Sequence, residues 1–385
     1  MLPDQPALLT ASVRAAAMPP FHAMAMAKLA AEREAGGASV LHLEVGQPST
    51  PAPAGVRAAA VAALDQQSIG YTNAPGLPSL RRRIAGHYAD WYGATVDPER
   101  VLIVAGASAG FTLAFLAAFD RGARVGVVEP GYPCYRNALE VLGCTAVPIP
   151  VGPDTRWAPT PELIDGAGPL DGLILASPSN PTGTIVELGP IADHCRRHGI
   201  RLVSDEIYHG LTFGAAPDTA ALAEPSAIVV NSFSKYFSMT GWRLGWVLAP
   251  DDLVDAFERL QQNLYICAPT LSQYAAVAAF DCHDELGGHV VRYAENREAL
   301  LGGLAAAGLG ETAEPDGAFY VYADTSHLAD DSMALCRRWL DEIGVACTPG
   351  IDFDPVRGHR FVRFSYAGRL DDLRRACDRL GSWRP

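Results

Sequence analysis

Seven short apolar runs separated by helical segments predict an α/β fold. The expected architecture is a large domain with a seven-stranded, mainly parallel sheet flanked by helices, followed by a smaller α+β domain. Three observations carry the prediction. The runs lie at residues 101–105, 124–128, 145–149, 172–176, 200–204, 227–231 and 243–248, and several are near-continuous rather than alternating, as strands buried on both faces must be. Segments such as 191–198, between the runs, are amphipathic with a helical period. A chain of 385 residues with 49% hydrophobic content is long enough for two or three domains at roughly 150 residues each, and apolar enough to bury a large core.

Residues 1–47 carry one helical pattern, at 23–34, and no strand of the large sheet, so they are expected to pack on the C-terminal unit. After residue 251 the pattern turns helical through 253–264 and 271–280, and a long stretch at 284–307 links the domains. Strands at 318–323 and 360–366 and helices at 332–343 and 370–380 complete the smaller unit. The predicted large domain is therefore 48–283, and the small one combines 1–47 with 284–385.

Composition removes several function classes. Forty-three acidic against 30 basic residues give a formal charge of −13, which repels a nucleic-acid backbone. The longest apolar stretches, at 58–64 and 101–106, fall well short of the roughly 20 residues that cross a bilayer. Ala15 and Ala17 have the spacing of a leader cleavage site, but Asp4 and Arg14 interrupt the pattern, so a cytoplasmic protein is expected. None of the eight cysteines forms a Cys-x-x-Cys pair, so buried thiols are expected and no metal site.

Only two of the 30 basic residues are lysines, Lys28 and Lys235. Lys28 falls in the N-terminal helical pattern and reads as a generic cation. Lys235 lies just after the run 227–231, between small hydroxyl residues and eight positions before Arg243.

Ligands of open α/β sheets sit beyond the carboxyl ends of the strands, which makes the residues after each run the candidates. After 101–105, Gly106, Ala107 and Ser108 open a helix, as either a phosphate cradle or an ordinary strand-to-helix turn. After 172–176, the prolines and glycine of Ser-Pro-Ser-Asn-Pro-Thr-Gly either aim the Asn180 amide or simply make a tight turn. After 200–203 comes Asp205, with Tyr208 three residues on. A carboxylate there needs a cation or donors, or else caps a helix.

Together these ends supply phosphate donors, a carboxylate, a phenol, an amide and an amine, the groups that hold a phosphorylated aromatic aldehyde. The chain resembles the class I/II pyridoxal-phosphate-dependent aminotransferases, fold type I. The matching pieces run in order over nearly the whole chain: LEVGQP, YTNAPGLPSLR, GAS, EPGYPCY, SPSNPTG, SDEIY, SFSKYFSMTGWRLG, PDGAFY, TPGIDF and RFSYA.

That resemblance implies pyridoxal 5′-phosphate as cofactor, an L-amino acid and a 2-oxo acid as substrates, and a ping-pong exchange through an aldimine on Lys235. Lys235 then also moves the α-proton, and Asp205 keeps the pyridine nitrogen protonated. Tyr208 and Asn180 would bond the 3′-oxygen, and Tyr132 would stack on the ring. Gly106, Ala107, Ser108, Ser232 and Arg243 would hold the phosphate, joined by Tyr71 of a neighbouring subunit in a homodimer. Arg363 would fork onto the substrate α-carboxylate, with Gly46 and Asn180 around it.

The sequence departs from the family pattern at Glu129, at Asp354 and at Ala109, Gly110 and Phe111. Ser108 stands where some aspartate aminotransferases of this type have lysine, which disfavours a dicarboxylic donor. A carbon–sulfur lyase or other elimination enzyme on the same fold is the alternative, because the same residues serve it.

Overall fold

The computed structural model describes residues 10–214 and 216–384. The leader reading that rests on Asp4 lies outside them. Seven strands form one sheet: β1 Val101–Val104, β2 Arg124–Glu129, β3 Thr145–Pro150, β4 Gly172–Ala176, β5 Arg201–Asp205, β6 Ile228–Ser232 and β7 Gly245–Leu248. Their spatial order is β1-β7-β6-β5-β4-β2-β3. All neighbours run parallel except β7, which is antiparallel to both β1 and β6.

The near-continuous apolar runs have the cause the sequence suggests. Side chains alternate across a strand, and here both faces are buried. Val101 and Ile103 face one core with Leu173, Leu175, Val229 and Trp246, while Leu102 and Val104 face the other with Ile174, Val203, Val230 and Val247. Helices Ala107–Ala118, Pro133–Leu142 and Val254–Leu264 cover the second face through Leu113, Phe115, Leu139 and Phe257. Helices Pro78–Tyr92 and Leu188–His198 cover the first through Leu80, Ile84, Tyr88, Leu188 and Ile191.

The differences from the sequence expectation are local. The last strand begins at Gly245, not at residue 243, because Arg243 ends a 3-10 turn over Thr240–Trp242 with its backbone at φ 52. Helices Ala54–Gln66 and Pro78–Tyr92 precede β1, where no element is predicted. The first is alanine-rich, which packs well yet gives little polar contrast to read; Val56, Ala60 and Ala63 are its buried stripe. Five cysteines are buried as expected, but Cys134, Cys267 and Cys282 are only half-buried; all eight are free thiols.

The smaller unit has a three-stranded antiparallel sheet, Thr348–Pro349, Phe361–Ser365 and Tyr320–Asp324 in that order. Helices His283–Ala306, Ser332–Ile343 and Leu370–Ser382 accompany it. The N-terminal segment reaches this unit. Leu41–His42 pairs in parallel with Val345–Ala346, a short strand unseen in the sequence. The helix His22–Ala35 has no side-chain cap of its own, and the Asp352 carboxylate accepts its first N–H groups, from His22 at 2.8 Å and Ala23 at 2.7 Å. Among the described residues no helix is long and apolar enough to cross a membrane.

Candidate active site

A cavity of about 480 Å³ opens at the carboxyl ends of the strands. It is lined by Gly46, Ala107, Ser108, Tyr132, Asn180, Asp205, Tyr208, Ser232, Lys235, Arg243 and Arg363, all singled out in the sequence. Gly106 is the turn into its first helix. Its φ of 82° suits glycine, and a Cβ there would lie 2.5 Å from an Arg243 Nη, so only glycine lets the guanidinium rest against the turn. The first-turn N–H groups of Ala107 and Ser108 have no helical acceptor, which gives the corner a positive end. Ser232 Oγ bonds Ser234 Oγ at 2.9 Å and Leu244 O at 3.2 Å beside it.

Lys235 follows β6. Its Nζ donates to Gly46 O at 2.6 Å and lies 5.8 Å from the Tyr208 ring centre and 5.7 Å from that of Phe319. The side chain touches the cavity yet has protein on every other side. Burial, reinforced by Arg363 and Arg243, lowers its pKa to about 8 although Asp205 pulls the other way. A lysine so placed is a neutral nucleophile far more often than an exposed one. Gly46 is also obligatory, because a Cβ there would fall on the Tyr320 hydroxyl.

Asp205 ends β5 fully enclosed, and burial pushes its carboxyl up to about 6 against the donors that hold it. Those donors are the Tyr135 hydroxyl and Ile207 N, the latter at 3.1 Å. The carboxylate is thus not a simple helix cap. It is held in place while short of positive charge.

Arg363 is no surface residue, being 3% exposed. One Nη donates to Asn180 Oδ1 at 2.9 Å; the other donates to Glu44 O at 2.6 Å and Thr348 Oγ1 at 3.2 Å. Its Nε is buried without a partner, and no carboxylate among the described residues lies within ion-pairing distance. The guanidinium centre sits 4.3 Å from the Tyr320 ring centre and 4.8 Å from that of Phe353. A buried cation held only by neutral groups is a seat for an anion.

Two expected residues differ in setting. Asn180 spends its Oδ1 on Arg363, which leaves its Nδ2 to the cavity. Tyr71 is 83% exposed and does not line this chain's cavity. Tyr208 pairs with the Tyr320 hydroxyl at 2.8 Å. Tyr132 caps the helix Pro133–Leu142 and meets Tyr135 and Phe21 edge to face.

Sequence reasoning passes over Tyr135, Tyr320, Thr348 and Phe21. Tyr135 and Tyr320 stand inside quoted pieces, EPGYPCY and PDGAFY. Tyr135 lies three residues after Tyr132 at a helix start, hence on the same face, and that spacing is the signal that finds it.

The family described as aminotransferase class I and II matches residues 38–380. Valine–pyruvate aminotransferase of Mycobacterium tuberculosis is 50% identical over 378 residues, 96% of this chain and 97% of that protein. Aspartate/prephenate aminotransferase of Thermus thermophilus is 32% identical over 96% of this chain and 97% of its own. Among solved structures, an aminotransferase from Mycobacterium tuberculosis superposes with a TM-score of 0.95 at 49% identity, covering 98% of this chain and 99% of that one. Thermus thermophilus aspartate aminotransferase with maleate gives 0.92 at 32% identity, covering 97% and 99%. These relatives transfer amino groups, and the elimination alternative is not favoured. The strand-end lysine, the buried carboxyl and the anion-seeking arginine thus stand in a chain that belongs to the class I and II aminotransferases.

Proposed function

We propose that the protein binds pyridoxal 5′-phosphate beside Lys235 and carries an amino group from an apolar L-amino acid to a 2-oxo acid, with valine and pyruvate as the leading pair. The observation that carries the reading is the buried, carboxylate-free Arg363 facing the same cavity as a lysine of lowered pKa. The residues present fit the cofactor. Gly106 lets the Arg243 guanidinium rest against a helix start, so a cation and unpaired N–H groups meet at one corner suited to a phosphate; no cation among the described residues bonds the buried Asp205, and Arg363 Nε has no partner.

When bound, pyridoxal phosphate supplies an aldehyde for the amino group and a conjugated ring that takes up the electron pair left by α-proton removal. The chain supplies the rest. Ser232, Arg243 and the N–H groups of Ala107 and Ser108 would hold the phosphate at the Gly106 turn, whose own N–H donates to Val104 O at 2.8 Å. The Asp205 carboxylate, held by Tyr135 and Ile207 N, would keep the ring nitrogen protonated. Tyr208 and the Asn180 amide would bond the 3′-oxygen, and Tyr132 would stack on the ring. Arg363, with Asn180 and Gly46, binds the substrate α-carboxylate. The Lys235 amine takes the proton from the substrate α-carbon and returns it, a task suited to a group titrating near working pH.

An apolar side chain follows from the cavity wall. Phe21, Met24, Val45, Phe111 and Ile207 line it, and its cations are Lys235, Arg243 and Arg363, which the cofactor and the substrate α-carboxylate would take up. A distal carboxylate has no counter-charge there among the described residues of this chain. The first-mentioned relative, named for valine and pyruvate, agrees with that wall.

The proposal includes a cytoplasmic homodimer in which Tyr71 of a second copy completes the phosphate site; its wide exposure here suits that role. It includes a large domain over 48–283 and a small one over 1–47 and 284–385. The test is a half-reaction screen. L-valine should bleach the visible absorption of the holoenzyme and pyruvate should restore it, while L-aspartate acts at least about tenfold more slowly. Faster bleaching by L-aspartate would refute the apolar-donor reading, and no response to any amino acid would refute transamination.

A further inference from the structure

At the amino ends of the strands, opposite the cavity, three side chains that the catalytic cavity does not use converge. His194 and His198 are four residues apart on the helix Leu188–His198, so their rings share a face, with centroids 4.2 Å apart. His194 Nε2 lies 3.4 Å from Asp165 Oδ1 on the neighbouring helix Pro161–Gly166. One donor atom from each of the three lies within 4.8 Å of the others.

The arrangement favours a metal ion over an ion pair. The His194 side chain is 3% exposed, so packing holds its ring in place beside the exposed Asp165 carboxylate. His198 Nδ1 contacts His194 O at 2.9 Å; a carbonyl only accepts, so the proton sits on Nδ1 and the lone pair on Nε2. A hydrogen bond from the other ring nitrogen to a carbonyl fixes the tautomer of metal-binding histidines in this way. Two imidazoles and a carboxylate suit zinc-like divalent ions better than magnesium or calcium. Bond lengths near 2.0–2.1 Å put tetrahedral donors roughly 3.4 Å apart. The exposed Asp165 and His198 can swing inward by that much while His194 stays fixed.

We propose that Asp165, His194 and His198 bind one divalent transition-metal ion that ties the helix Pro161–Gly166 to the helix Leu188–His198. The site lies beyond the start of β5, a strand that puts roughly 13 Å between Arg201 and Asp205 at its catalytic end. The ion therefore stabilises the large unit without taking part in transamination.

The experiment is a Ni2+ titration of the holoenzyme by calorimetry, with thermal midpoints, for the natural protein, His198→Ala and Asp165→Asn. Both changed residues are exposed, so folding is kept. The natural protein should take up one ion and gain about 2 °C or more. His198→Ala should bind at least about tenfold more weakly and lose the gain, Asp165→Asn should fall between, and metal-free turnover should match in all three. Half-buried thiols that take Ni2+ contribute equally to all three proteins, so the difference between them is decisive. Equal affinity, stoichiometry and midpoint gain in the natural protein and His198→Ala would overturn the proposal, as would no uptake by the natural protein.

Discussion

The two ends of the large sheet treat charge in opposite ways. At the amino ends, cations are matched: Arg201, opening β5, meets Asp252 at 2.6 Å and Ser226 O, and Arg100, just before β1, meets Asp251 at 3.4 Å. At the carboxyl ends, among the described residues, Lys235 has only a carbonyl, Arg363 only neutral acceptors and Asp205 only neutral donors. The first end is built for stability. The second keeps charges poorly matched in a buried space, a condition that a ligand of complementary charge relieves.

The sharpest way to break that contrast is Lys235→Ala, which should abolish the visible absorption of the loaded protein and lower turnover by about 1,000-fold or more. Next is Arg363→Lys. It keeps the charge but loses the fork, and kcat/KM for an amino donor should fall roughly 10- to 100-fold, mainly through KM.

The third prediction concerns stability. The folded pKa of Lys235, about 8, lies below its ordinary 10.5, so the folded state binds fewer protons than the unfolded one between those values. Stability linked to this amine is present above 10.5 and lost as pH falls through 8. In cofactor-free protein, Lys235→Met should therefore raise the denaturation midpoint at pH 7, by at most ~3 kcal/mol since the amine touches the cavity, and the advantage should shrink as pH climbs past 8. A constant advantage from pH 7 to 10 would mean that the charge is not strained.

Smaller effects belong to the matched end and the surface. Asp252→Ala should cost under about 1 kcal/mol in chemical denaturation and leave turnover alone. Lys28, 3.8 Å from Glu32 on an exposed helix face, should tolerate arginine with no measurable change in either assay.

Much of the contrast can be read from the chain before folding. Strands buried on both faces need long apolar runs, so the seven runs announce the sheet, and the ends of a parallel sheet announce where the chemistry sits. The alanine-rich helix Ala54–Gln66 escapes because Val61 and Leu64 are exposed while the buried stripe is only Val56, Ala60 and Ala63, which blurs the apolar face. The cap of the helix His22–Ala35 escapes because Asp352 supplies it from 330 residues away.

By itself the sequence determines which groups are present and that Lys235, Asp205 and Asn180 follow strands of one sheet, because local periodicity and turn chemistry are written in neighbouring residues. Only the tertiary structure decides that Tyr135 holds Asp205 and that Asn180 spends its carbonyl on Arg363, 183 positions later. It also decides that Arg363 is buried away from every described carboxylate. Those facts set the electrostatics of the site, and they arise where segments 70 to 183 residues apart in sequence meet in space, which no local pattern encodes.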